Sequence, residues 1–262
     1  MEMATLRARP AGTAQWAAAV VAGVAAIAHA GPGVTAIAPV RRRCFPALAG
    51  LGAPDHVALT FDDGPDPRST PRFLDLLGAH GTRATFFLLG SMVAKAPGLA
   101  AELTAAGHEA GVHGWDHRYT LLRGPGAVYD DMARARDAVA DATGAAPAFY
   151  RPPYGVLSGA ALLAARRLGM TPLLWTCWGR EWARGATPGS VLATIRRDLA
   201  GGVTVLMHDS DCTSPPGSHL SALGALEPLL GECAARGWRV GTASSHGVRQ
   251  HRPDGVAGSP GP

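Results

Sequence analysis

Leu59-Thr60-Phe61-Asp62-Asp63-Gly64-Pro65 decides how this chain is read. An apolar, β-branched and aromatic run from His56 to Phe61 stops at two adjacent carboxylates, and Gly64-Pro65 supplies the turn that ends it. The run reads as a buried strand, so the two acids stand at the mouth of a core strand rather than on a solvated surface. Neighbouring strand side chains point to opposite faces, but at a strand end the turn can swing both toward one cavity. One carboxylate can then hold a cation while the other handles protons.

Outward from that stretch the pattern is regular. Strand-like runs follow at Ala84–Leu89, His108–His113, Ala148–Arg151, Thr171–Cys177, Val203–His208 and Trp238–Thr242. Helical stretches alternate with them. Ser69 is expected to cap Thr70–Leu77, and Pro97 opens a helix that ends near Gly107. Pro125–Thr143, Ser158–Leu168, Pro188–Leu199 and Ser218–Ala235 each end at a following glycine. This alternation predicts an α/β fold, a distorted barrel closed by about seven parallel strands, with an open doubly wound sheet as the alternative. In either fold, chemistry gathers at the carboxyl ends of the strands. Asp62 and Asp63, His113, Arg151, Glu181 with Trp182, and His208 all fall at such ends.

The chain has 262 residues, 47% of them apolar, enough for one large domain and too apolar for disorder. The net charge of +4 comes largely from arginine-rich ends. No basic stripe interleaved with aromatics is present, so nucleic acid is not an expected partner. Residues 1–50 read as a leader. Arg7 and Arg9 precede an Ala/Val run from Trp16 to Ala28, and Ala28-His29-Ala30 resembles a cleavage site. Extended to Val40, the run reaches the roughly 20 residues a membrane span needs, with Arg41-Arg42-Arg43 beyond it. A signal peptide or membrane anchor plus linker is expected, and a secreted or envelope-associated protein. An Ala-rich leader on a cytoplasmic protein is the alternative. Residues 51–246 form the expected catalytic domain, and the Gly/Pro/Arg-rich residues 247–262 an expected disordered tail. The four cysteines show no CxxC spacing, which argues against a cysteine zinc knuckle. Cys177 reads as a core residue, and pairing of Cys212 with Cys233 is left open.

Four further stretches carry chemistry. His113-Gly-Trp-Asp-His117 puts two imidazoles four residues apart, a spacing that on a helical turn brings both to one metal ion. Two histidines and one aspartate leave coordination positions open, as a catalytic site does. Phe149-Tyr-Arg-Pro-Pro-Tyr-Gly155 is a rigid loop from which Arg151 can reach back to orient a carboxylate and the Tyr154 N–H can face the site. Leu174-Trp-Thr-Cys-Trp-Gly-Arg-Glu-Trp182 is rich in tryptophan, and Trp182 beside Glu181 is its best site candidate. Val203-Thr-Val-Leu-Met-His208 is a buried strand whose final histidine reads as a general acid.

Thr60-Phe-Asp-Asp-Gly-Pro65, His113-x-x-x-His117, Arg151-Pro-Pro-Tyr-Gly155, Glu181-Trp182 and Leu206-Met-His208, in this order, resemble the five motifs of the polysaccharide deacetylase family. That family is carbohydrate esterase family four, the NodB-homology domain, and the resemblance covers about residues 55 to 245. It implies metal-dependent removal of acetyl from an N-acetylated polysaccharide of peptidoglycan or chitin type. The alternatives are an O-acetyl esterase on the same site or a catalytically weak carbohydrate-binding relative. By position, Asp63, His113 and His117 would bind a divalent ion, usually zinc, with cobalt, nickel or iron as alternatives. Asp62 would be the base, held by Arg151, and His208 the acid, tuned by Glu181. Tyr154 would serve the oxyanion, Trp182 would pack beside Glu181, and Leu206 would line the acetyl pocket. The partner is the polysaccharide, with membrane attachment through the leader, and a monomer is expected. Two positions depart from the family pattern. Gly114 stands where Ser or Thr usually braces the loop, and Glu181 stands where Asp is usual.

Overall fold

A computed structural model describes residues 13–248 of the chain. In chain order the elements are α1 (Thr13–Ala30), α2 (Ala38–Cys44), β1 (His56–Asp62), α3 (Thr70–Ala79), β2 (Thr85–Leu88), α4 (Gly90–Lys95), α5 (Pro97–Ala105), β3 (Glu109–Val112), α6 (Pro125–Thr143), β4 (Phe149–Tyr150), α7 (Gly159–Arg167), β5 (Thr171–Pro172), β6 (Cys177–Trp178), α8 (Pro188–Arg196), β7 (Thr204–His208), α9 (Ser218–Ala235) and β8 (Arg239–Gly241). Short 3₁₀ turns fill several connections.

β1 is the axis of the fold because every one of its side chains is buried. A strand buried on both faces needs partners on both edges and helices outside, which is the parallel α/β solution. The strands run parallel in the order β5-β4-β3-β2-β1-β7-β6. β8 pairs with the first half of β1, while β2 pairs with its second half. Phe61 stacks on Phe86 at 4.9 Å and meets the edge of Phe73 at 5.2 Å, tying β1 to β2 and α3. Offset and edge-on contacts of this kind add to the area that the rings bury.

The sheet curls without closing by a hydrogen-bonded ladder. Its two edge strands, β5 and β6, are consecutive in the chain, and residues 173–176 run across the gap between them. The single strand expected over Thr171–Cys177 is therefore two short strands. Backbone carbonyls in the gap are taken by arginines. Arg151 Nε and Nη2 donate to the oxygens of Leu173 (3.1 Å) and Leu174 (3.0 Å), and Arg41 Nη2 donates to that of Trp175 (2.9 Å). Guanidinium groups thus satisfy acceptors that a neighbouring strand would otherwise have to serve.

Residues 31–50 pack on the barrel. Arg41 is buried, and Ala49 lies in the core. α1 turns an uncovered apolar face outward through Trp16, Val20, Val24 and Ile27. The stretch Gln15–Ala36, 22 residues with mean hydropathy 1.6, is long and apolar enough to cross a membrane. Of the expected tail, residues 249–262 lie outside the described residues; Val248 is buried.

Two local expectations differ. Ser69 makes no side-chain cap at α3, because its hydroxyl donates to the Asp209 carbonyl instead (2.5 Å). No local signal in the sequence marks α4. Its first N–H groups, Gly90 and Ser91, donate to the carbonyls of Gly114 (2.9 Å) and Trp115 (3.1 Å), so a distant loop starts it. Ser158 does cap α7, accepting from the Ala161 N–H at 3.1 Å. Cys177 is core, and Cys212 and Cys233 are unpaired.

Candidate active site

β1 delivers Asp62 and Asp63 to the carboxyl rim, both buried. Asp63 has φ +80, outside the extended region that β1 occupies up to Asp62. That reversal breaks the in–out alternation of a strand, so consecutive carboxylates face one space. Asp62 Oδ1 accepts from Arg151 Nη1 at 2.7 Å. Asp63 Oδ2 accepts from the Thr213 hydroxyl, while its buried Oδ1 accepts no hydrogen bond from any described residue. His113 Nε2 and His117 Nε2 lie 3.5 and 3.7 Å from that oxygen.

His113 Nδ1 is 2.9 Å from the Arg151 carbonyl. A carbonyl only accepts, so the proton sits on Nδ1 and the Nε2 lone pair faces Asp63. Burial, with His113 beside it, drives the His117 pKa down to about 4, so its imidazole is neutral at pH 7. Burial by itself would raise Asp63, but His208, His113, His117 and the Thr213 hydroxyl hold it below the ordinary carboxylate range. The donor atoms of Asp63, His113 and His117 all lie within 4.8 Å of one another. The His113 lone pair, the neutral His117 ring and an unsatisfied carboxylate oxygen, gathered this closely, fit a divalent cation.

The expectation of a helical turn for His113–His117 is corrected. The segment is a loop in which Gly114 (φ +85) and His117 (φ +57) take left-handed conformations, and this folding brings the rings to 5.0 Å. Asp131 of α6 braces it. Asp131 Oδ2 accepts from the Trp115 N–H (2.9 Å), and Oδ1 accepts from Arg123 Nη1 (2.6 Å). The Arg134 guanidinium lies 3.5 Å from the centre of the Trp115 ring. A Cβ at residue 114 would sit 3.3 Å from Asp131 Oδ2.

Arg151 is fully buried and spends its fork on Asp62, on Thr60 Oγ1 (2.9 Å) and on the two seam carbonyls, with Phe87 3.9 Å from its guanidinium carbon. Thr60 and Asp62 lie two apart on β1, hence on one face, which is how one side chain reaches both. On β7, Leu206 and His208 share a face for the same reason. Glu181 Oε1 accepts from His208 Nδ1 at 2.8 Å. Burial opposes the charged imidazolium, but Glu181 first, then Asp63 and Asp62, outweigh it and raise His208 to about 9. Trp182 meets His208 edge-on at 5.2 Å. Tyr154 has φ +60, and Gly155 after it has φ +67, where any Cβ would run into the Trp175 ring.

These groups surround a cavity of about 340 Å³. Asp62, His113, His117, His208, Leu206 and Tyr154 line it, with Trp175, Trp178 and Trp182 as one wall. Asp63, Arg151 and Glu181 stand behind that lining and each bonds or faces a residue in it. Thr213, Asp131 and Tyr119 are functional candidates that sequence reasoning missed. All three sit on loops or a helix with no pattern to single them out.

The family model described as polysaccharide deacetylase matches residues 51–173. A chitooligosaccharide deacetylase of Bradyrhizobium is 38% identical over 173 residues, covering 64% of this chain and 76% of that protein. The peptidoglycan-N-acetylglucosamine deacetylase PgdA of Listeria monocytogenes is 33% identical over 187 residues, 71% of this chain, and the chain spans 38% of that relative's length. Among solved structures, the Bc1960 peptidoglycan N-acetylglucosamine deacetylase, in complex with an N-oxidanyl benzamide, superimposes with a TM-score of 0.69 at 27% identity, covering 78% of this chain and 94% of the other.

Proposed function

The chain belongs to the polysaccharide deacetylase family, and from that premise we propose that it is a metal-dependent hydrolase removing acetyl groups from an N-acetylated polysaccharide of the cell envelope. One juxtaposition carries the reading. A carboxylate pinned by an arginine, Asp62, and an imidazole pinned by a carboxylate, His208, flank the Asp63–His113–His117 cluster around one cavity.

Asp63, His113 and His117 would hold the ion, for which zinc suits two nitrogens and one oxygen with positions left open. Bound there, it would polarise the acetyl carbonyl and lower the pKa of water toward about 7. Asp62 takes the proton of the attacking water. Arg151 fixes its orientation, leaving Oδ2 turned to the cavity side, 3.7 Å from His113 Nε2. The Tyr154 N–H donates to the acetyl oxygen as negative charge builds on it. His208, with Nδ1 committed to Glu181, presents Nε2–H to the amide nitrogen. That nitrogen leaves as a free amine, and the acetyl group leaves as acetate. Leu206 and the tryptophan wall keep water from the acetyl methyl. In this reading residues 51–246 are the catalytic domain, and the apolar stretch Gln15–Ala36 is an export or anchoring segment that puts the domain on the envelope side.

The deciding experiment is acetate release from chitooligosaccharides and from peptidoglycan fragments, with chelator and then with zinc or cobalt restored. Release that the chelator abolishes and metal restores is expected. Release that is indifferent to the chelator, or none from any N-acetylated polymer, overturns the reading.

A further inference from the structure

The carbonyls of residues 173–176, which cross the gap between β5 and β6, all accept from arginines. Arg151 donates to those of Leu173 (3.1 Å) and Leu174 (3.0 Å), and Arg42 donates to that of Thr176. Arg41 donates twice to that of Trp175, through Nε (3.2 Å) and Nη2 (2.9 Å). Arg151 belongs to the site, but Arg41 and Arg42 come from α2, in the linker ahead of residue 51. The linker also pairs by backbone, since the Leu174 N–H donates to the Leu48 carbonyl at 2.8 Å. Arg41 is buried, and its Nη1 donates to the Thr35 carbonyl at 2.7 Å, so one side chain ties the linker's own turn to the seam. A segment that merely connected would leave these carbonyls to water. Here it stands in for the strand that the open sheet lacks.

The seam carries part of the site wall. Trp175 is buried, lines the cavity together with Leu206, and leaves Gly155 no room for a side chain. Its ring lies 5.3 Å from the Arg41 guanidinium and 5.8 Å from that of Arg151, both within the range of about 6 Å over which a cation is drawn to an indole. The planar fork of Arg41 grips the Trp175 backbone by two nitrogens and the Thr35 carbonyl by the third, which a point charge cannot reproduce. We propose that Arg41 is a positioning residue for the hydrolysis: it fixes the Trp175 ring in the cavity wall, so that the fit to an acetyl methyl depends on the linker as well as on the barrel. The catalytic unit then begins ahead of residue 51. The proposal rests on the deacetylase reading above for the acyl group, but not for the position of the ring.

The test uses the whole chain, zinc-loaded in detergent and labelled with 5-fluorotryptophan at its six tryptophans, the Trp175 resonance being assigned with Trp175→Phe. In Arg41→Ala and Arg41→Lys the Trp175 line should shift or split, while those of Trp115 and Trp238, away from the seam, stay. The same variants should discriminate less between N-acetyl and N-propionyl chitooligosaccharides. One methylene in a fitted pocket is worth about 10–200-fold in kcat/KM, and most of that ratio should go. Leu103→Ala, which opens the core under α5, destabilises the fold away from the seam and should keep both the Trp175 line and the ratio. Arg41→Lys keeps the charge but offers one nitrogen, and it carries the test if Arg41→Ala does not fold. A Trp175 line that stays put in Arg41→Lys, one that moves equally in Leu103→Ala, or an acyl ratio equal to wild type overturns the proposal. Failure of the deacetylase reading is a different result: the wild-type protein cleaves neither substrate, and the fluorine spectra then decide alone whether Arg41 places the ring.

Discussion

Asp62 and His208 are register partners on adjacent parallel strands, at the last level where β1 and β7 pair. Sheet geometry alone therefore sets the spacing of the proposed base and acid. Each is locked by its own counter-ion, Arg151 for Asp62 and Glu181 for His208. Because Asp63, not Asp62, faces both imidazoles, the two carboxylates can be separated by mutation. Asp62→Asn should lower kcat for acetate release by about 10²–10⁴. Bound zinc, counted by elemental analysis, should stay near one per chain. Full turnover in that variant would remove Asp62 from the role of base.

The Glu181–His208 pair has a pH signature. A general acid must carry its proton. With His208 raised to about 9, kcat should be level at neutral pH and fall as pH rises through about 9. Glu181→Gln removes the main charge that raises this group, so His208 should return toward its ordinary value of about 6.5. The alkaline limb then moves to lower pH. The same sign holds for stability: a raised folded pKa contributes in full below the unfolded value, and that contribution is lost as pH rises through the folded one. The pH profiles of kcat for the two proteins decide it, and an unmoved limb would mean that another group donates the proton.

Thr213 holds the far oxygen of Asp63 from the loop after β7. Groups that orient a metal ligand typically matter by about 10–100-fold in affinity. Thr213→Val keeps the shape and deletes the hydroxyl, so it should weaken zinc binding in that range. Competition against a chromophoric chelator measures this without reference to activity. Affinity equal to wild type would show that Asp63 is held well enough by its backbone turn.

The periodic parts of the chain were legible and the tertiary parts were not. β1, β2 and β7 coincide with buried, largely apolar runs, and local pattern is what such runs express. Thr171–Cys177 looked like one strand because Leu173, Leu174 and Trp175 are buried. Their burial comes from the barrel seam, and their carbonyls go to Arg41 and Arg151. The spacing of His113 and His117 pointed correctly to convergence and wrongly to a helix, since a loop with two left-handed residues gives the same approach. Asp62, Asp63, Arg151, Glu181 and His208 stand out in the sequence because they end or follow strand-like runs. Thr213, Asp131 and Tyr119 act through contacts many residues distant or through exposure, and neither leaves a local mark.

The departure at Gly114 leads to the last prediction. No side chain at 114 braces the His113–His117 loop, and Asp131 does so from α6 by accepting from the Trp115 N–H and from Arg123. Asp131→Ala would leave that N–H without its acceptor, a loss of about 1–3 kcal/mol if it stays out of water. The melting temperature should fall, and zinc affinity should fall with it, because His117 loses its anchor two residues away. Asp131→Asn keeps an acceptor for the N–H and should recover most of the zinc affinity. Gly114→Ser should not substitute for Asp131. A Cβ at φ +85 is strained, and here it would stand 3.3 Å from the carboxylate it was meant to replace. Thermal melts and zinc titrations of the three variants separate the cases. If Asp131→Ala lowers the melting temperature but binds zinc as wild type does, Asp131 supports the fold alone and the loop is held in place by α4, through Gly90 and Ser91.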